Sequence, residues 1–159
     1  MTTCDGCAII ARIESGSEPY VVARTRSGYV SIHVCQYYRG YTVFLAKSCV
    51  AELHELAGDE RRLFLDEMAL VAESVFRAFS PRKLNYELLG NTTAHLHWHL
   101  IPRHADDPNP SGPVWEDEAF VSGLKADQYR VSAEEMVALK SKLADELDGH
   151  DGLVEIRYA

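Results

Sequence analysis

The stretch HLHWHLIPRH, residues 95–104, places four histidines in ten residues, three of them separated by single apolar residues. In a β-strand alternate side chains share a face and each residue rises about 3.3 Å, so His95, His97 and His99 would stand about 7 Å apart on one side. Leu96, Trp98 and Leu100 would then face the core. Three readings compete for the histidine face: a row of structural imidazoles, a catalytic metal site, or nucleophilic catalysis in which one imidazole attacks and a neighbour moves protons. A single ion held by all three rings is hard to build, because the outer pair is about 13 Å apart along the strand. With seven histidines in the whole chain, chance clustering is a poor account.

Phosphorus chemistry suits a histidine nucleophile, since neutral imidazole is abundant near neutral pH and the phosphoramidate it forms is labile to water. The preceding GNTTA, residues 90–94, offers an amide, hydroxyls and a glycine where backbone N–H groups can meet phosphate oxygens, or simply a turn.

Working outward, KLNYELLG (83–90) and HLHWHLI (95–101) read as an antiparallel strand pair. YVVAR (20–24), GYVSIHV (28–34) and GYTVFLA (40–46) are β-branched or aromatic runs and read as three further strands. Phe64, Met68, Val71, Val75 and Phe79 recur at helical spacing from Gly58-Asp59 onward, and Ser80-Pro81 stops that helix. Residues 102–117 hold four of the six prolines and read as an irregular loop of the length that is more often functional than idle. Met136, Leu139, Leu143 and Leu147 mark another helix, ahead of a short C-terminal run LVEIRY. No repeat, low-complexity tract or linker divides the chain.

At 159 residues, with 47% apolar and 25% charged residues, the chain has the profile of one globular domain. The net charge of −8 with scattered basic residues disfavours binding to a nucleic acid polymer. The N-terminus MTTCDGCAII lacks a basic region followed by an apolar run, and no window approaches the length needed to span a bilayer, so a cytoplasmic protein with no membrane partner is expected. In that reducing compartment Cys4, Cys7, Cys35 and Cys49 are expected as metal ligands or buried thiols rather than disulfides.

Together, HLHWHLIPR, YRGYTVFLAKSCVAELHEL (38–56), KLNYELLGN (83–91) and the DPNPSGPVW loop ending at Trp115 resemble the histidine triad (HIT) superfamily of nucleotidyl hydrolases and transferases. The alternating signature is matched in full, and the likeness covers most of residues 4–117; it looks most like the bacterial branch that hydrolyses diadenosine polyphosphates. The resemblance implies an α+β fold of the HIT type, an antiparallel sheet of about five strands with flanking helices, in one domain spanning 1–159 with a core at 4–117 and a helical extension at 118–159. It implies a hydrolase that cleaves nucleoside 5'-phosphoryl bonds, in a dinucleoside polyphosphate, a nucleotide phosphoramidate or a related mixed anhydride, through a nucleotidyl-histidine intermediate. A transferase handing the nucleotidyl group to phosphate, or a nucleotide-binding member without turnover, remain the alternatives.

By the same resemblance His97 is the nucleophile and His99 assists proton transfers, Asn91 and Thr92 bind the phosphates, and the strands around YVSIHV and Gly40 form a nucleoside cleft. Many family members carry an acid where His33 falls and a histidine where Tyr41 falls, so His33 is a substrate contact of altered chemistry. The protein is expected to be a homodimer that takes a small nucleotide and needs no catalytic metal. His54, His104 and His150 are expected to be solvated.

Cys4 and Cys7 form a Cys-x-x-Cys, read as a metal knuckle rather than a redox pair because no thioredoxin-like βαβ pattern surrounds it. Some bacterial relatives complete a structural zinc site with a histidine after the third strand and the first triad histidine. Here Cys49 stands in place of the former, so the resemblance implies a closed Cys3His zinc site of Cys4, Cys7, Cys49 and His95. Cys35 is expected to be a small buried apolar residue.

Overall fold

The computed structural model describes residues 4–126 and 128–158. Its strands are β1 (Val21–Arg24), β2 (Gly28–Ile32), β3 (Thr42–Ala46), β4 (Lys83–Glu87), β5 (His97–Arg103) and β6 (Ile156–Arg157), and its helices α1 (Asp5–Glu14), α2 (Gly58–Phe79), α3 (Glu118–Lys125) and α4 (Ala133–Asp148). The strands form one sheet in the order β4-β5-β3-β2-β1-β6, with every pairing antiparallel. This is the α+β architecture expected, widened by β6, which is the C-terminal run LVEIRY pairing with the edge of β1.

Alternation along β5 sorts its side chains as the sequence pattern demands. Leu100 and Trp98 join Phe44, Val30 and Val22 in the main core, where α2 and α4 cover one sheet face through Phe64, Val71, Val75, Leu139, Leu143 and Leu147. The 22-residue α2 is the stripe read from the sequence; Asp59 and Glu60 in its first turn suit the helix dipole, and Ser80, at φ 48°, caps it in the left-handed region. Its one buried acid, Glu67, accepts hydrogen bonds from the Thr25 hydroxyl at 2.6 Å and the Ser27 N–H at 2.9 Å, fastening the β1–β2 turn to the helix.

Among the described residues the opposite sheet face is covered at its two ends. At one end α1 packs Ile9, Ile10 and Ile13 over Val21 and Tyr29. At the other end Tyr38, Tyr41, Ile101, Val114 and Phe120 form a second cluster beneath α3. Between them His97 and His99 of β5 are left beside Val43 and Leu45 of β3, their register partners being Leu45 and Val43 respectively. The site is thus a gap between two covers.

α1 was not expected from the sequence, and α3 was expected only as an undivided part of the helical extension at 118–159. The signals were present: Ile9, Ile10 and Ile13 at helical spacing, and Asp117, whose carboxylate caps α3 by accepting from the Ala119 and Phe120 N–H groups. Among the described residues no helix is long and apolar enough to cross a membrane.

Candidate active site and metal cluster

A directed chain of hydrogen bonds runs through the histidines. Tyr41, the residue just before β3, is 1% exposed, and its phenol is held above the ordinary tyrosine range by burial. It therefore stays protonated and donates to His99 Nδ1 at 2.6 Å. With Nδ1 accepting, a neutral His99 carries its proton on Nε2, which lies 3.0 Å from His97 Nε2 and donates to it. His97 Nδ1 in turn lies 2.6 Å from the His95 carbonyl, an acceptor, so Nδ1 carries the proton and the Nε2 lone pair is the one that accepts from His99. One assignment of protons satisfies every link.

His99 is pushed down to about 3, first by burial and then by the neighbouring His97 and His33 rings, so it is a neutral imidazole at any physiological pH. His33 follows β2 and stacks on Tyr41 with ring centroids 4.3 Å apart. The Cys35 N–H donates to His33 Nδ1 at 3.1 Å, which leaves Nε2 as the protonated nitrogen of a neutral ring.

The cleft has two lobes that share His33, Thr93, His97 and His99. The first, about 500 Å³, lies between α1 and the sheet and is walled by Ile9, Ile32, Val43 and Leu45, with Arg12 and Glu18 paired to each other at 3.0 Å. The second, about 540 Å³, is bounded by Leu89, Trp115 and the α3 residues Val121, Leu124 and Lys125. Asn91 and Thr92 are exposed and line only the second lobe, whereas Thr93 reaches both. Sequence reasoning had Thr93 only as one of the GNTTA hydroxyls and α3 only as part of the helical extension at 118–159, and it did not pair Tyr41 with His99.

His95 departs from its two companions. It precedes the strand, is fully buried, and its ring turns to α1, where a side chain at Gly6 would bring a Cβ within 2.3 Å of His95 Cγ. His95 Nε2 donates to the Ala46 carbonyl at 2.9 Å, which leaves Nδ1 unprotonated and 3.3 Å from Cys4 Sγ and 3.9 Å from Cys7 Sγ. The ligand atoms of Cys4, Cys7, Cys49 and His95 all lie within 4.8 Å of one another, so this cluster could bind a metal. Tetrahedral zinc with bonds of about 2.0–2.3 Å needs edges of about 3.5–3.8 Å, so modest contraction closes the site. The donor set and the histidine tautomer, fixed from outside by a carbonyl, both fit. Hydrogen bonds from the Cys7 backbone and His95 pull the Cys4 thiol down to about 6, while the Cys49 thiol and burial push Cys7 up to about 12. A cation seated among the three sulfurs would favour their thiolate forms.

The remaining histidines stay outside the cleft. His54 is exposed as expected. His104 and His150 are only half-exposed, and His104 Nε2 donates to the Arg39 carbonyl at 3.0 Å, because the residue 104–112 loop folds back onto the sheet end. Cys35 is 2% exposed in the cluster with Tyr38 and Tyr41.

A family model described as the HIT domain matches residues 21–106 of this chain. No curated protein matches it. Among solved structures, a histidine triad protein from Marinobacter aquaeolei VT8 is 24% identical with a TM-score of 0.70, covering 82% of this chain and 89% of its own. A histidine triad (HIT) protein from Sinorhizobium meliloti 1021 is 21% identical with a TM-score of 0.69, covering 84% and 94%. A zinc-bound histidine triad family protein from Mycobacterium smegmatis is 18% identical with a TM-score of 0.58, covering 93% and 98%. At these identities the structures establish a shared fold, while the family model spans more than half of the sequence, including the alternating histidines and the strands that hold them: the chain belongs to the HIT domain family.

Proposed function

We propose that this protein is a nucleotidyl hydrolase in which His97 is the nucleophile and His99 its partner. The observation that carries the reading is the hydrogen-bond chain from Tyr41 through His99 and His97 to the His95 carbonyl, which puts the proton of His97 on Nδ1 and leaves Nε2 as its nucleophilic nitrogen, held by the His99 N–H until substrate arrives. An incoming phosphate oxygen takes over the His99 Nε2–H, releasing the His97 Nε2 lone pair. His97 Nε2 then bonds to the α-phosphorus as the P–O bond to the leaving group breaks, its electron pair staying on the departing oxygen. Water attacks the nucleotidyl-histidine, the N–P electron pair returns to Nε2, and a proton passes to solvent.

Asn91, Thr92 and Thr93, which line the second lobe with the histidines, would donate to the non-bridging oxygens as charge builds there. His33, a neutral donor where a carboxylate would accept two hydroxyls, meets the sugar. The substrates are dinucleoside polyphosphates, nucleotide phosphoramidates or related mixed anhydrides. Cys4, Cys7, Cys49 and His95 would hold a structural zinc, a closed four-ligand site that supplies folding energy and leaves the chemistry to the imidazoles. We take residues 1–159 as one HIT domain, a core at 4–117 with a helical extension at 118–159. We take it to be a cytoplasmic homodimer, from the resemblance and from its four cysteines, none of which is in a disulfide.

The test is intact-protein mass spectrometry after rapid acid-free quenching with a diadenosine polyphosphate. An added nucleoside monophosphate is expected on the wild type and absent on His97→Ala, with product formation lost in the variant. Product at an unchanged rate from His97→Ala would sink the reading.

A further inference from the structure

Three of the four cysteines meet from two separate elements. Cys4 caps α1 and Cys7 lies in its first turn, whereas Cys49 lies in the irregular segment after β3. Their sulfurs lie within 4.8 Å of one another and of a ring nitrogen of His95. Access divides them: His95 is fully buried, Cys4 and Cys7 are half-buried, and Cys49 is exposed. Cys35 belongs to a different cluster, with Tyr38 and Tyr41, and is 2% exposed.

A closed zinc site accepts imidazole or thiolate as its outermost ligand. Only a thiolate brings redox chemistry there. A cysteine is readily oxidised when it is a thiolate, when solvent reaches it and when a second thiol stands ready to resolve the product. Coordination supplies the first condition, and the position of Cys49 supplies the other two. The Cys-x-x-Cys of α1 is therefore the resolving side of a pair whose reactive side is on another element.

Resting on the structural-zinc reading above, we propose that Cys49 is a reversible oxidation site at which a peroxide exchanges the ion for a disulfide to Cys4 or Cys7. The Cys49 thiolate attacks a peroxide oxygen; an S–O bond forms, the O–O bond breaks and hydroxide leaves. The thiolate of Cys4 or Cys7 then attacks the Cys49 sulfur; an S–S bond forms, the S–O bond breaks and a second hydroxide leaves. Two thiolates are oxidised, one peroxide is reduced, and an added thiol reverses the disulfide by exchange. With two ligands spent, one sulfur and His95 are too few to keep the ion. The disulfide takes over its tether. It joins α1 to the segment after β3, so Ile9 and Arg12 keep their place in the wall of the first lobe. His95 keeps its bond to the Ala46 carbonyl.

The experiment treats the zinc-loaded protein with hydrogen peroxide, follows released zinc with a chelating dye, and then maps disulfides in tryptic peptides without reduction. Zinc is expected to leave the wild type, with the peptide of residues 1–12 joined to that of residues 48–61. Thiol reductant and zinc should reverse both changes. The oxidised protein should melt above the chelated, reduced one, because the cross-link replaces the lost ion. Cys49→His, which keeps a full ligand set, should hold its zinc through the same exposure. Release from Cys49→His at the wild-type rate, or a wild-type disulfide confined to the 1–12 peptide, overturns the assignment of Cys49; the wild-type map decides alone should that variant fail to fold. Zinc retained by the wild type under peroxide overturns the switch and leaves the zinc reading standing. A chain that neither carries nor takes up zinc ends both.

Discussion

The Tyr41 hydroxyl sits 2.6 Å from His99 Nδ1, and the far edge of the same imidazole sits 3.0 Å from His97. Tyrosine here dictates which nitrogen of His99 carries the proton, and therefore what His97 sees. Tyr41→Phe removes the donor and little volume, so His99 becomes free to take either tautomer and to turn. We expect kcat to fall about ten- to hundredfold with KM within about threefold, the signature of a group that acts through another. Tyr41→His, which can also donate, should recover part of the loss. Steady-state kinetics on the three proteins decide it, and an equal rise in KM alone would assign Tyr41 to substrate binding instead.

Metal removal should loosen the protein before it stops the chemistry. Elemental analysis is expected to find about one zinc per chain. Chelation should lower the thermal midpoint, with activity declining in step with that midpoint and not ahead of it, because an ion in this cluster would hold His95, and the His95 carbonyl accepts from His97. Cys49→Ser should weaken zinc retention, and Cys49→His should keep it. Instant loss of turnover in a still-folded protein would move the metal into the reaction.

Acid should destabilise the fold through His99. Its pKa is pushed down to about 3 by burial, then by His97 and His33, whereas in the unfolded chain it is about 6.5. Between these values the unfolded chain binds the extra proton, so the contribution of the neutral ring is complete above about 6.5 and is lost as pH falls towards about 3. Tyr41, His97 and His33 are the groups that face the ring. Denaturant midpoints measured from pH 7 to pH 4 should therefore fall more steeply for the wild type than for His99→Gln. Parallel curves would show that the buried ring is not the source.

Arg103 ends β5 and pins the loop that leads to Trp115. Its side chain is 4% exposed, pairs with Asp107 at 3.0 Å, donates to Asn85 Oδ1 at 3.1 Å and to the Gly112 carbonyl at 2.8 Å, and lies over the Tyr38 ring. Removing it strands a buried carboxylate, so Arg103→Ala should cost about 3–5 kcal/mol in denaturant unfolding. Arg103→Lys should recover little, since a point charge cannot replace the fork of donors. Adding Asp107→Ala to the alanine variant should return part of the stability, and its failure to do so would place the cost in the carbonyl contacts alone.

Local pattern carried much of this molecule. The alternation of HLHWHLI set a strand with His97 and His99 on one face and Trp98 and Leu100 in the core, and the stripe from Phe64 to Val75 set α2, because period two and period 3.6 each assign a side before any partner is known. Short elements were harder. α3 spans only eight residues, too few for periodicity to stand out, and β6 is a two-residue edge that exists only because β1 offers it hydrogen-bonding groups.

The sequence by itself determined the strand, its histidine face, the family and the ligand types gathered in Cys4, Cys7, Cys49 and His95. Only the tertiary structure decided that His95 turns to α1 while His97 and His99 face a cleft, that Tyr41 meets His99 across 58 residues, and that Trp115 and α3 close a second lobe. The physical reason is range. Backbone periodicity acts within a few residues, whereas a proton's place on an imidazole, or a lobe's charge, depends on which distant side chain packing brings to within about 3 Å.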